Sequence, residues 1–168
     1  MNQARTDDGG SPLYIASENG RLDVVRLLVS EGADVNQATT DDGASPLYVA
    51  SEHGHLDVVR LLVSEGADMN QAKTTDGAFP MYVASQQGHL DVVRLLVSKG
   101  ADVNQQMNNK RAPLNIAASE GHLNTVKLLV ESNADLNVKS NWGTPLREAL
   151  DDNQPEVAQY LRSKGARE

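Results

Sequence analysis

The chain repeats one alternation of apolar and polar positions. In "HLDVVRLLVSEG", Leu56, Val58, Val59, Leu61, Leu62 and Val63 are apolar, while Asp57 and Arg60 are polar. That apolar spread is wider than the stripe of a surface helix, and it predicts a helix covered on both flanks by neighbours. Asp57 and Arg60 share its polar side, placed to pair across one turn. Just upstream, "PLYVASEHG" predicts a short helix closed by Gly54, a residue that adopts the left-handed conformation at no steric cost. The segment "ADMNQAKTTDGA" is rich in turn residues and has no helical period. It predicts a connector shaped as an extended hairpin.

The same three-part phrase recurs along the whole chain. Pro12, Pro46 and Pro80 are 34 residues apart, Pro113 follows by 33 and Pro145 by 32. A period in this range predicts stacked supersecondary units. Ser11, Ser45 and Thr144 each precede a proline, which is the order of an N-cap followed by Pro at the first helical position. Ala16, Ala50, Ala84, Ala117 and Ala149 keep a small side chain at one place, letting neighbouring helices approach closely. Asn133 replaces the glycine after the second helix of the fourth unit, and asparagine is the next best left-handed residue. The expected fold is an all-α repeat solenoid of helix–turn–helix units forming one domain over 1–168. A partial connector at 1–9 precedes units at about 10–43, 44–77, 78–110, 111–142 and 143–168.

The starts "SPLY", "APLN" and "TPLR", the "GHL" at Gly54, Gly88 and Gly121, and the "GADVN"-like ends recur in register. Together they resemble the ankyrin repeat, with its T-P-L-H-x-A signature and period of about 33 residues, over essentially the whole chain. The resemblance implies a right-handed stack of helix pairs, with β-hairpin fingers projecting beside a concave surface. It also implies a structural hydrogen-bonding role for His55, His89 and His122. The family's signature histidine is replaced by Tyr14, Tyr48, Tyr82, Asn115 and Arg147, so its hydrogen-bond network is not carried over. The first connectors hold one extra residue ("NQATTDDGAS"), which predicts reshaped or bulged fingertips. Asn36, Asn70, Asn104 and Asn137 each end a "GAD-x-N"-like run and are expected to fix the turn by side chain to backbone bonding. They also resemble asparagines hydroxylated in some ankyrin proteins, an incidental modification here.

The two ends differ. "PEVAQYLRSKG" aligns with "LDVVRLLVSEG" without a gap, and Arg162, Gln159 and Tyr160 stand where the first unit has Val29, Arg26 and Leu27. Polar residues on the outward side are what a C-terminal cap requires. The first unit has no such change, and "NQARTDDGG" repeats "NQATTDDGA", so the chain opens inside a connector. That predicts an uncapped first face, in a piece of a longer array or a chain cut to begin there.

A net charge of -8 argues against a nucleic-acid backbone or an anionic membrane as partner. The absence of cysteine excludes disulfides, thiolate metal sites and cysteine nucleophiles. Without a membrane-length apolar run or a leader, a cytoplasmic protein is the expectation, the nucleus being compatible as well. His53 and His55 form an H-x-H without further ligands at metal spacing. The acid pairs Asp41–Asp42 and Asp151–Asp152 fall on expected fingertips and helix ends, where carboxylates are ordinarily solvated. No phosphate-binding glycine loop and no nucleophile–base set stands apart from the repeat's own residues. The expectation is no enzyme, no cofactor and no metal.

What varies between units is where recognition would reside. The resemblance implies fingertips and the last exposed positions of each first helix. On the fingers these are Arg5, Asp7 and Asp8, then Thr39, Asp41 and Asp42, then Thr74 and Asp76, then Met107, Asn109, Lys110 and Arg111, and finally Asn141 and Trp142. On the helices they are Glu52 and His53, Gln86 and Gln87, and Ser119 and Glu120. The fingers run from acidic to basic along the array, which predicts a partner with the opposite gradient. Trp142, the single tryptophan, is either an interface anchor or a residue folded against the C-terminal cap. Tyr14, Tyr48 and Tyr82 are expected to pack between units. The expected function is a non-catalytic protein–protein interaction module with a protein or peptide partner, acting as a monomer. The alternatives are a structural spacer or engineered scaffold that recognises nothing, and self-association through the uncapped first unit.

Overall fold

In a computed structural model, residues 9–168 are described; Arg5, Asp7 and Asp8 of the opening connector lie outside them. Ten helices follow one another among the described residues. The first helices of the pairs are α1 (Pro12–Glu18), α3 (Pro46–Glu52), α5 (Pro80–Gln86), α7 (Pro113–Ser119) and α9 (Pro145–Asp151). Their partners are α2 (Leu22–Ser30), α4 (Leu56–Ser64), α6 (Leu90–Ser98), α8 (Leu123–Glu131) and α10 (Pro155–Ser163). Each first helix packs on its own partner and on the next first helix, while the second helices touch one another more sparsely.

Local chemistry explains where these helices start and stop. Ser11, Ser45 and Thr144 accept hydrogen bonds from Tyr14 N, Tyr48 N and Arg147 N, with proline at the first helical position. Phe79 stands at the same place before α5 with no side-chain bond to give. Before α7, Asn115 reaches back and accepts from Ala112 N at 3.1 Å, serving the cap from inside the helix. Gly54 closes α3 at a positive φ of 71°, and Asn133 follows α8 at 66°.

The core runs along the stack. Leu13, Leu47, Met81, Leu114 and Leu146 are buried in the first helices beside Ala16, Ala50, Ala84, Ala117 and Ala149. Leu62, Leu96, Leu129 and Leu161 are buried in the second helices. Neighbouring units are also stitched by side chains. Nε2 of His55, His89 and His122 donates to Glu18 O, Glu52 O and Gln86 O of the preceding unit, at 2.9, 3.0 and 2.9 Å. Gln154 Nε2 repeats the bond to Ser119 O at 3.1 Å where histidine is missing.

The connectors are not extended hairpins: no strand forms among the described residues, and the one β-bridge is Ser140–Gly143. A turn consumes the first arm of each connector. Asp34, Asp68, Asp102 and Asp135 accept from the backbone N–H two residues on, leaving too little extended chain for a ladder. The asparagines do something else. Oδ1 of Asn36, Asn70, Asn104 and Asn137 accepts from the backbone N–H of Asp68, Asp102, Asp135 and Arg167, so they join units rather than fix their own turn. Each finger is closed by a backbone bond from Thr39 N to Ala44 O, Lys73 N to Ala78 O, Met107 N to Arg111 O or Ser140 N to Gly143 O, and in the last three a second backbone N–H donates to the oxygen of Lys73, Met107 or Ser140. The enclosed loop shortens along the array, and the extra residue of the early fingers is accommodated there.

The two flanks of the described stack differ. Val24 and Leu27 on α2 are 47% and 59% exposed, whereas their counterparts Val58, Val92 and Leu95 are buried. Arg162 and Gln159 are exposed at the other end, with Tyr160 partly covered.

Candidate functional site

The fingers are coupled to one another through their backbones. Thr74 N donates to Asp42 O at 2.9 Å, Asn108 N to Asp76 O at 3.0 Å, and Asn141 N to Asn109 O at 3.2 Å. The tips therefore form a continuous row. Of the residues expected there, Asp41, Thr74, Asp76, Lys110, Asn141 and Trp142 are exposed on the row, as are His53, Gln87 and Glu120 on the helices. Asp42, Glu52, Gln86, Asn109 and Arg111 are partly covered.

Three of the expected residues are buried and offer a partner little. Thr39 Oγ1 donates to Asp42 Oδ1 at 2.7 Å and accepts from Ala44 N, locking its own turn. Met107 belongs to the apolar core, where its position at the base of the finger carries it inward. Ser119 bridges two charged groups, accepting from Arg111 Nη2 at 2.9 Å and donating to Asp152 Oδ2 at 2.6 Å.

Two groups of side chains result. In the early units, Lys73 Nζ pairs with Asp42 Oδ2 at 2.6 Å and lies 5.2 Å from the centre of the Tyr48 ring. Burial pushes the Asp42 carboxyl up, but hydrogen bonds from Lys73 and Thr39 and from the Ala44 N–H outweigh it and hold it below the usual carboxylate range. Tyr48 and Tyr82 are buried and Tyr14 partly so, and Tyr82 packs 6.0 Å from Phe79, so the tyrosine ladder is packing. Burial, reinforced by Glu18, Asp42, Glu52 and Asp41, pushes the Tyr14 hydroxyl up to about 12. Burial likewise raises Tyr48, with Glu52, Asp76 and Asp42 adding to it. Finger acids and helix acids thus act on the same hydroxyls.

The second group spans the fourth and fifth units. Arg111 Nε and Nη2 donate to Glu148 Oε2 at 2.9 and 2.6 Å, and Glu148 is 2% exposed. The other oxygen of Glu148 accepts from Asn115 Nδ2 and Ser140 Oγ, so this buried charge is fully satisfied. Burial works against the Arg111 charge, yet Glu148 more than compensates and raises its pKa. The Arg111 guanidinium lies 4.9 Å from the centre of the Trp142 ring, which stays 56% exposed. Trp142 therefore does not fold into the C-terminal cap. Arg111, Ser119, Trp142, Glu148, Asp151 and Asp152 enclose an open hollow of about 330 Å³.

Glu148 and Asn115 were not among the expected site residues, although a signal exists for the first. Glu148 occupies the place of Ile15, Val49, Val83 and Ile116, and Arg111 that of Ala44 and Ala78. An acid and a base entering adjacent units at apolar positions announce a buried pair. The pairing also trims the acidic-to-basic gradient, because Arg111 and Lys73 are neutralised within the array while Lys110 and Lys139 remain exposed. His53 and His55 stack at 5.9 Å, and His53 Nδ1 bonds to Val49 O. No group of three metal-ligating side chains comes together among the described residues. The groove can offer charge, hydrogen bonds and an indole face.

The ankyrin repeat family profile, written for three copies of the repeat, matches residues 1–73, 37–107 and 81–167. The chain belongs to the ankyrin repeat family. Ankyrin repeats are generally non-catalytic protein–protein interaction modules. No curated protein matches the chain. No helix among the described residues is long and apolar enough to cross a membrane.

Proposed function

We propose that this ankyrin repeat array is a non-catalytic binding module that holds a protein or peptide segment along the fingers and the ends of its first helices. One observation carries the reading. The side chains that differ from unit to unit gather on that face, while "LDVVRLLVS" is spent on stacking. The face is preorganised, since backbone bonds join finger to finger and imidazoles join helix to helix, so little conformational freedom is lost on binding. The partner-contacting set is Asp41, Asp42, Glu52, His53, Thr74, Asp76, Gln86, Gln87, Asn109, Lys110, Arg111, Glu120, Asn141 and Trp142. A second reading, pairing of two copies through the first flank, is favoured by the exposure of Val24 and Leu27.

Capture by three immobilised chains, from a cell lysate to which soluble copies of the natural chain are added, separates these readings. They are the natural chain, the chain with Asp41, Asp76, Lys110 and Trp142 changed to Ala, and Leu27→Lys, each checked for folding by circular dichroism. The expected result is a protein held by the first and third chains and lost by the second. Retention by all three contradicts the proposal, loss by Leu27→Lys alone favours the flank, and recovery of nothing by any chain favours a spacer.

A further inference from the structure

The hollow between the fourth and fifth units is unlike the rest of the groove, because it joins an exposed aromatic face to a carboxylate with no cation. Three acids and one arginine border it. Arg111 is consumed by Glu148, and Asp151 Oδ2 accepts from Arg147 Nε at 2.8 Å. Asp152 is left with only the Ser119 hydroxyl, which donates to its Oδ2 at 2.6 Å. Uncompensated negative charge therefore sits at the mouth of the hollow. Trp142 rises beside it, its ring anchored on the Arg111 guanidinium at 4.9 Å with more than half of its surface in solvent. That anchor is itself fixed, because Glu148 is buried and bonded on both oxygens.

We infer that the hollow is the specificity pocket of the concave face and takes a lysine or arginine side chain of an extended partner segment, its charge on Asp152 and its stem along the Trp142 ring. An indole is the best aromatic face for a cation, and a carboxylate beside it supplies a charge-assisted hydrogen bond. The same sign of charge continues up the groove. Glu18, Asp41, Glu52 and Asp76 make no ion pair among the described residues, and they surround Tyr14 and Tyr48. A segment running from Trp142 toward the first unit thus meets acid rather than base on the helix side, while Lys110 and Lys139 lie out on the tips. This inference rests on the concave-face reading above and narrows it to a basic segment.

Trp142 is the only tryptophan, so its emission reports the hollow directly. Acetylated peptides of about twelve residues, alternating Ala with Lys, with Gln or with Glu, are titrated into the whole chain, into Asp152→Asn and into Asp23→Asn. Asp23 is an exposed carboxylate on α2, away from the groove, and controls for net charge. The lysine peptide alone is expected to shift the emission saturably. Asp152→Asn should weaken it about tenfold, the worth of a hydrogen bond to a charged group, and Asp23→Asn should leave it within about twofold. Equal response to the glutamate or glutamine peptide, equal weakening by both variants, or no response to the lysine peptide overturns the inference. Should it fail while fingertip-dependent capture persists, the concave face stands and only its preference for a basic segment is lost.

Discussion

At the residue scale, the repeat is held by positions whose roles are local and therefore readable. Gly88 and Gly66 show two different reasons for one residue type. Both have positive φ, 72° and 87°, but a Cβ on Gly88 would meet the His122 ring at 2.7 Å while one on Gly66 meets nothing within 4 Å. Gly66→Ala should cost the left-handed penalty alone, about 1–2 kcal/mol. Gly88→Ala should cost more, because His122 must leave its bond to Gln86 O as well. Urea unfolding of the two variants tests this, and equal losses would mean that the imidazole bridge contributes nothing. The caps at Ser11, Ser45 and Thr144, the alanine column and the "GHL" histidines follow from sequence for the same reason: each partner lies a fixed distance away in a repeating chain. The asparagines were harder to read. Their oxygens are used one unit further along, a choice that depends on how closely the turns stack.

At the element scale, the helix pairs were legible from periodicity and the fingers were not. An extended connector in sequence becomes a hairpin only if its donors face each other, and here Asp34 and its equivalents turn the chain first. The junction of α7 and α9 was harder to read, because the Arg111–Glu148 pair forms between units: an acid at the apolar place of Glu148 signals a partner without naming it. Removing one partner of a buried pair leaves the other uncompensated, which typically costs about 3–5 kcal/mol. Arg111 keeps some solvent access, so Glu148→Ala is expected near the lower end, about 3 kcal/mol. In a stack bonded only between neighbours the loss should be local. Amide exchange should show α9 and α10 opening before α3 to α6, with Trp142 emission shifting in the same variant. Uniform acceleration along the whole chain would mean that the array unfolds as one block.

At the scale of the whole molecule, the array has a direction. Among the described residues, one flank exposes Val24 and Leu27 and the other presents Arg162 and Gln159, so the two ends of the stack differ in chemistry. The acid excess of the chain gathers in part around Tyr14 and Tyr48 within the groove. The candidate residues could be guessed from variation between units, but Thr39, Met107 and Ser119 vary too, and only their burial removes them. The central claim is that the fingers and first-helix ends form the binding face, and hydrogen exchange of the array with and without its captured partner tests it most directly. The account predicts slowed exchange at the finger amides of residues 40–43, 74–77 and 108–111, with α4 and α6 unchanged. Slowing confined to α2, α4 and α6, with the fingers exchanging as in the free chain, would contradict it.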